Sequence, residues 1–314
     1  MSETAKIPII DFKTYGLDVE NEGSISDEDL EKLGNKMCQA LKEIGFCYLN
    51  NHGIPDEQVR LALESSKQFF NQTVDAKMKC AKPDDGYFGW IGLERERLNP
   101  NRPAGDYKEA YGMIPECGIW PPDIPNFQKI HSDLFSCCVK LALRVFDVIS
   151  VGLKLEDKHF LRKCHSCIGQ KGNISNIRSI FYPALTSKKD TIQGQVRCGE
   201  HSDYGTLTLL IQDSIGGLEV KMREGEYEPA PPIPGTIVVN IGDLMQRWTA
   251  DKLIATKHRV LIPSEVRKKM VDRQSLAFFV NPDEDVTIHC LDNSNKYDPI
   301  TSRDYLNMRF YEKF

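Results

Sequence analysis

The chain has 314 residues, 40% of them hydrophobic and 27% charged, with a formal net charge of −5. That length suits one large domain or two ordinary ones with a sizeable core, and the acidic balance argues against nucleic acid or an anionic membrane as the main partner. No apolar run is long enough to span a bilayer. The opening MSETAKIPIIDF lacks a basic and apolar leader, and the closing FYEKF is no sorting address, so a cytoplasmic location is expected. Ten cysteines stand at irregular spacing, as expected of reduced thiols buried as small hydrophobes. Cys164 and Cys167 form a lone C-x-x-C with no second pair at zinc-finger spacing, so they read as thiols at a helix end.

In chain order, Ser26 and Asp29 resemble a helix start, followed by Leu30, Leu33, Met37, Leu41 and Ile44 at helical spacing. Gly45 to Asn50 reads as a strand closed by a turn at Gly53 and Pro55. PDEQVRLALESSKQFFNQ restarts a helix with acidic residues in its first turn. The longest helix is predicted from about Asn126 to about Val151, with Ile130, Leu134, Cys138, Leu141, Val145 and Ile149 on its apolar face. From Ile177 onward the pattern shortens to β-rich runs: IRSIFYP, TLTLLIQD, GGLEVKM, GTIVVNIGD, HRVLIP, RQSLAFFVNP and VTIHC. Such runs, divided by turn residues, predict a sandwich or barrel. A last helix is expected over Ser302 to Tyr311. The expected fold is therefore mainly β with flanking helices. Residues 1–314 form one unit, with 1–170 mainly helical and 171–314 a β core carrying the C-terminal helix. The alternating rhythm of a dinucleotide-binding fold is missing, as is G-x-G-x-x-G.

Two groups of polar residues interrupt the apolar strands. His201 and Asp203 precede Leu207, Leu209 and Ile211. On an extended strand, residues two apart point the same way, so an imidazole and a carboxylate can reach one point. That is two thirds of a two-histidine, one-carboxylate set for Fe(II); the alternative is a polar turn cap. Among the other histidines, His258 at the head of HRVLIP is best placed to be the third ligand. The second group is Arg273 and Ser275, which share one strand face while Leu276, Phe278 and Val280 take the other. Arg273 then points into the core and requires an anion. An internal Asp or Glu would serve, or a bound dicarboxylate or keto acid gripped bidentately.

Together these segments resemble the plant-type, isopenicillin-synthase-like branch of the Fe(II)/2-oxoglutarate-dependent oxygenases. The resemblance runs from IPIIDF and GFCYLNNHGIP through DYKEAYG to HSDYGTLTLL, NIGDLMQRWTADKLIATKHRV and RQSLAFFVNP. It implies a double-stranded β-helix (jelly roll), with His201, Asp203 and His258 as iron ligands. It implies further that Arg273 and Ser275 bind the distal carboxylate of 2-oxoglutarate, joined by Tyr182 of FYPAL. Many plant members carry Asn where this chain has Ile180. The implied reaction consumes O2, releases succinate and CO2, and hydroxylates or desaturates a C–H bond, with ascorbate as supporting reductant. Halogenases of the family replace the carboxylate ligand, whereas Asp203 is retained. Two rival readings are a same-fold iron oxidase that does not consume 2-oxoglutarate, in the manner of the oxidative cyclases and the ethylene-forming oxidases, and a non-catalytic binding protein.

The expected substrate is a free small molecule, and the expected state a monomer. The family's pocket-mouth region corresponds to Asp85–Gly112, which offers Tyr87, Phe88 and Trp90 for stacking and Arg95, Arg97 and Arg102 for an anion. Its alternative is a solvated charged loop. Trp248 either faces the pocket or packs in the core, and YLNMRFYEKF either closes as a lid or packs as a helix.

Overall fold

Large apolar side chains at every second position give a strand one face that must be covered. Leu207, Leu209 and Ile211 do this on one strand, and Leu276, Phe278 and Val280 on another. In the computed structural model these six side chains are buried in the core that the helices share. The structure describes residues 7–83, 86, 88–97, 104–116, 118–185, 195–261 and 271–311.

The covering helices form as their sequences dictate. Helix α1 (Asp27–Glu43) is capped by Ser26, whose Oγ accepts from Asp29 N at 3.1 Å, and carries three acidic residues in its first turn. Helix α2 spans Asp56–Phe70, a short α3 spans Val74–Met78, and α4 (Phe127–Gly152) is the long apolar helix. Helices α1 and α4 cross where Gly34 meets Gly152. A Cβ on Gly34 would lie 2.8 Å from Gly152 N, so only glycine allows this approach.

The main sheet is eight-stranded. Its order is β1 (Ile9–Asp11), β2 (Phe46–Asn50), β10 (Thr236–Ile241), β7 (Leu207–Gln212), β12 (Arg273–Val280), β5 (Asn176–Tyr182), β4 (Glu109–Met113) and β3 (Gly89–Ile91). The N-terminal half thus supplies both edges, while the C-terminal half supplies most of the centre. The second sheet is antiparallel, ordered β6 (Cys198–His201), β11 (His258–Val260), β8 (Leu218–Lys221) and β9 (Tyr227–Pro229). Phe46, Tyr48, Tyr182 and Val238 from the first sheet pack with Cys198, Leu218, Val220 and Val260 from the second. This is the jelly-roll core that the family resemblance implied, where the short β runs alone had predicted a sandwich or barrel.

The remaining elements are α5 (Phe160–Lys163), α6 (Asp243–Trp248), a small hairpin of β13 (Thr287–Ile288) and β14 (Ile300–Thr301), and α7 (Ser302–Tyr311). Helix α7 is a packed helix: Tyr305 and Leu306 are buried, and Phe310 meets the Tyr204 ring edge-on at 6.0 Å. No helix among the described residues is long and apolar enough to cross a membrane.

Candidate active site

His201 ends β6, and His258 opens β11 as its direct partner in the antiparallel register. A register shift between His258 and Val260 marks an irregularity in this pair. Asp203 does not share the strand with His201, contrary to the expectation of strand alternation. It lies in the turn beyond the end of β6, and convergence is achieved by that turn. One donor atom from each of His201, Asp203 and His258 lies within 4.8 Å of the others.

The turn is held by backbone contacts. The first N–H groups of a helix have no partner within it, and at α6 they are used on this turn. Asp243 N donates to Asp203 O at 2.7 Å, and Leu244 N to the carbonyls of Tyr204 and Gly205, each at 3.1 Å. Gly242 is required for the approach, since a Cβ there would stand 2.2 Å from Gly205 O, and Gly205 is required on the other side, where a Cβ would stand 2.3 Å from Val280 O. This gives the N-I-G-D segment a physical purpose. Its Asn240 side chain also donates to Asp203 Oδ2 at 2.7 Å, as does Thr208 Oγ1 at 2.7 Å.

Those two donors occupy Oδ2 and leave Oδ1 toward the imidazoles, 3.7 Å from His201 Nε2 and 3.8 Å from His258 Nε2. Both Nδ1 atoms face backbone carbonyls, Gly199 O at 2.8 Å and Thr256 O at 3.1 Å. A carbonyl can only accept, so Nδ1 carries the proton and the Nε2 lone pair faces inward. Burial, with the neighbouring His201, pushes His258 well below the usual imidazole range. Burial alone would raise the Asp203 carboxyl, but the two imidazoles and the bonds from Asn240 and Thr208 outweigh it and hold it down. The arrangement turns two imidazole Nε2 atoms and one carboxylate oxygen toward a common point, a donor set suited to a divalent first-row metal with positions left open.

Arg273 lies deep between the sheets and is 1% exposed. It pairs with Tyr182 in register, and its Cζ sits 4.8 Å from the Tyr182 ring centroid. Its Nη1 donates to Ser275 Oγ at 3.4 Å and its Nη2 to Gln212 Oε1 at 3.0 Å, while Nε is buried with no partner among the described residues. Ser275 also hydrogen-bonds Tyr182, whose hydroxyl is pushed above its usual range chiefly by burial. Ile180, opposite Ser275 in register, packs on the apolar core between the sheets.

The expected substrate residues fare differently. Trp248 is 0% exposed and packs edge-on against Phe160, with His165 alongside, in the helical layer. Its place at the last turn of α6 carries the ring away from the space between the sheets, which corrects the pocket-facing reading. Trp90 is buried in the same layer, its indole N–H donating to Glu109 at 2.8 Å. Arg95 and Arg97 are exposed and Phe88 is half-buried, while Tyr87 and Arg102 lie outside the described residues.

Several site residues escaped the sequence reading. Thr208, Gln212 and Asn240 are polar residues on the inward positions of apolar strands, and that misfit was the available signal. Lys108 of DYKEAYG is buried with its Nζ 3.5 Å from each of Cys198 Sγ, Glu96 and Asp106. Cys198 Sγ in turn lies 4.0 Å from His201 Nδ1.

Residues 7–132 match the model of the N-terminal region of the non-haem dioxygenase in morphine synthesis, and residues 173–282 match that of the 2OG-Fe(II) oxygenase superfamily. The chain belongs to this superfamily. It is a 2-oxoglutarate-dependent dioxygenase that oxidises a C–H bond of a small molecule, as the resemblance implied. The proline hydroxylase buaE of Petromyces alliaceus is 35% identical over 80% of this chain and 82% of its own. The 2-oxoglutarate-dependent dioxygenase htyE of Aspergillus rugulosus is 30% identical over 88% and 89%. A full-length Neurospora crassa protein crystallised in complex with alpha-KG superposes with a TM-score of 0.86 at 28% identity, over 100% of this chain and 98% of that one.

Proposed function

We propose that the enzyme hydroxylates a small polar metabolite, with His201, Asp203 and His258 holding Fe(II) and Arg273, Ser275 and Tyr182 anchoring 2-oxoglutarate by its distal carboxylate. The observation that carries this reading is the coincidence of two devices in one core: three inward donor atoms within 4.8 Å of one another, and a fully buried guanidinium stacked on Tyr182. When bound, Fe(II) and the keto acid supply the redox chemistry that couples release of succinate and CO2 to oxidation of the substrate by O2.

The chain's own residues set the geometry. Thr208 and Asn240 fix which Asp203 oxygen faces the metal, and the Gly199 and Thr256 carbonyls fix both imidazole tautomers. Arg273 orients the keto acid by meeting its far end with a planar fork. A relative named for proline hydroxylation, and the Neurospora crassa protein solved with alpha-KG and thymine, support a small polar substrate. Residues 1–314 act as one unit on this reading, because strands from the N-terminal half flank the sheet that carries the site. Nine free cysteines among the described residues support a reducing, cytoplasmic setting, and we read the enzyme as a monomer.

The test is a screen of purified enzyme with Fe(II), ascorbate and 2-oxoglutarate against amino acids, nucleobases and other small metabolites. Succinate should form in step with one oxygenated product. Substrate oxidation with no succinate released would refute the reading in favour of a same-fold oxidase.

A further inference from the structure

We propose that Arg197 is a second cation for the distal carboxylate of 2-oxoglutarate, making that end of the site a two-arginine clamp. The inference rests on the assignment of Arg273, Ser275 and Tyr182 to that carboxylate.

Arg197 immediately precedes β6 and is as deeply buried as Arg273, at 1% exposure. Its Nη2 donates to Val271 O at 3.1 Å. Its Nε and Nη1 are buried with no hydrogen-bond partner among the described residues. A guanidinium left so is costly unless an anion meets it. The acidic neighbours are committed elsewhere. Asp213 accepts from the backbone N–H groups of Gln274 and Ile215, and Asp272 pairs with Lys67 at 3.2 Å.

The two arginines flank one phenol. The Arg197 Cζ is 5.8 Å from the Tyr182 ring centroid, and the Arg273 Cζ is 4.8 Å from it. Burial and then the Arg273 charge push the Arg197 guanidinium down to about 10, which still leaves it charged at neutral pH. Two like charges beside one ring are stabilised by a shared counter-charge. A carboxylate, with about four acceptor sites, matches the unpartnered N–H groups of Arg197 and the one at Arg273 Nε. A purely structural role through the Val271 carbonyl would use one nitrogen and leave two without a partner.

The test is calorimetric titration of the anaerobic Fe(II)-loaded enzyme, in which no turnover occurs. The probes are 2-oxoglutarate and 2-oxopentanoate, which shares the keto-acid head but ends in a methyl group. Arg197→Gln should raise the Kd for 2-oxoglutarate by roughly 10- to 100-fold, the range of a hydrogen bond to a charged group, and leave that for 2-oxopentanoate nearly unchanged. Arg273→Gln should show the same selectivity. If only Arg273→Gln does so, the second cation is refuted and the first assignment stands. If neither does, the assignment of this end to the co-substrate fails as well. A uniform loss for both keto acids from Arg197→Gln would mark a structural role and overturn the proposal. Should that variant unfold, Arg197→Lys keeps the charge without the fork. The same selective rise is then expected, and unchanged selectivity overturns the proposal.

Discussion

The two ends of the space between the sheets are built on opposite principles. At the histidine end, Asp203 Oδ2 and both Nδ1 atoms have protein partners, and the turn between them is bonded to α6. At the arginine end, two guanidiniums flank Tyr182 with three buried nitrogens unpartnered among the described residues. The first end has its orienting atoms satisfied by the protein's own hydrogen bonds, whereas the second is satisfied only in part. On the proposed assignments, the preorganised donor set would fix whether the chemistry runs, whereas the under-satisfied cationic pair would set which anion is held and how tightly.

That contrast predicts a graded set of losses. On the proposed assignment, Asp203→Ala removes a metal ligand and leaves Thr208 and Asn240 without their acceptor. Metal binding by calorimetry and succinate formation should both fall by more than the roughly 100-fold that losing a supporting contact costs. Retention of either would break the assignment. Arg273→Gln should raise the KM for 2-oxoglutarate by about 100-fold, consistent with the 2–5 kcal/mol measured for such charge pairs. Fe(II) affinity should stay near that of the parent; a parallel loss of both would show that the ends are not separable. Thr208→Val keeps the shape but deletes one bond to Asp203 Oδ2. About a tenfold drop in metal affinity is expected, with 2-oxoglutarate affinity per loaded site preserved.

The smallest effect is on stability. Burial pushes His131 and His165 down to about 4. Both stay neutral in the fold, whereas the unfolded chain protonates them near 6.5. The unfolded state therefore binds more protons between about 6.5 and about 4, and the stability present above about 6.5 is lost as pH falls through that window. His165 sits 2.9 Å from Thr206 Oγ1, behind the histidine end. The urea midpoint should fall between about pH 7 and about pH 5, and His165→Asn should flatten that fall. An unchanged slope would show that His165 carries none of the linkage.

Legibility followed local pattern. The long helix α4, the capped α1 and strands such as β7 and β12 were readable because their periods persist over many residues. The strands β1, β3, β6 and β9, three or four residues each, carry too little alternation to stand out. His201, Asp203, His258 and Arg273 drew attention as costly polar groups on apolar segments. Gln212 did not, because its meeting with Arg273 depends on β7 lying beside β12, a fact of sheet order. Arg197 likewise gains its meaning only from packing near Tyr182, and of the two readings of Trp248 the core-packed one holds because the six-residue α6 turns its ring into the helical layer.

His201 and His258 face each other across a single strand pair, yet four strands and a helix intervene between them along the chain. An ion gripping both would act as a staple across that long excursion, lowering the freedom of the unfolded chain as a covalent cross-link does. On the proposed assignment the centre would double as a fastening of the smaller sheet, and loading with metal should be felt as rigidity well beyond His201, Asp203 and His258.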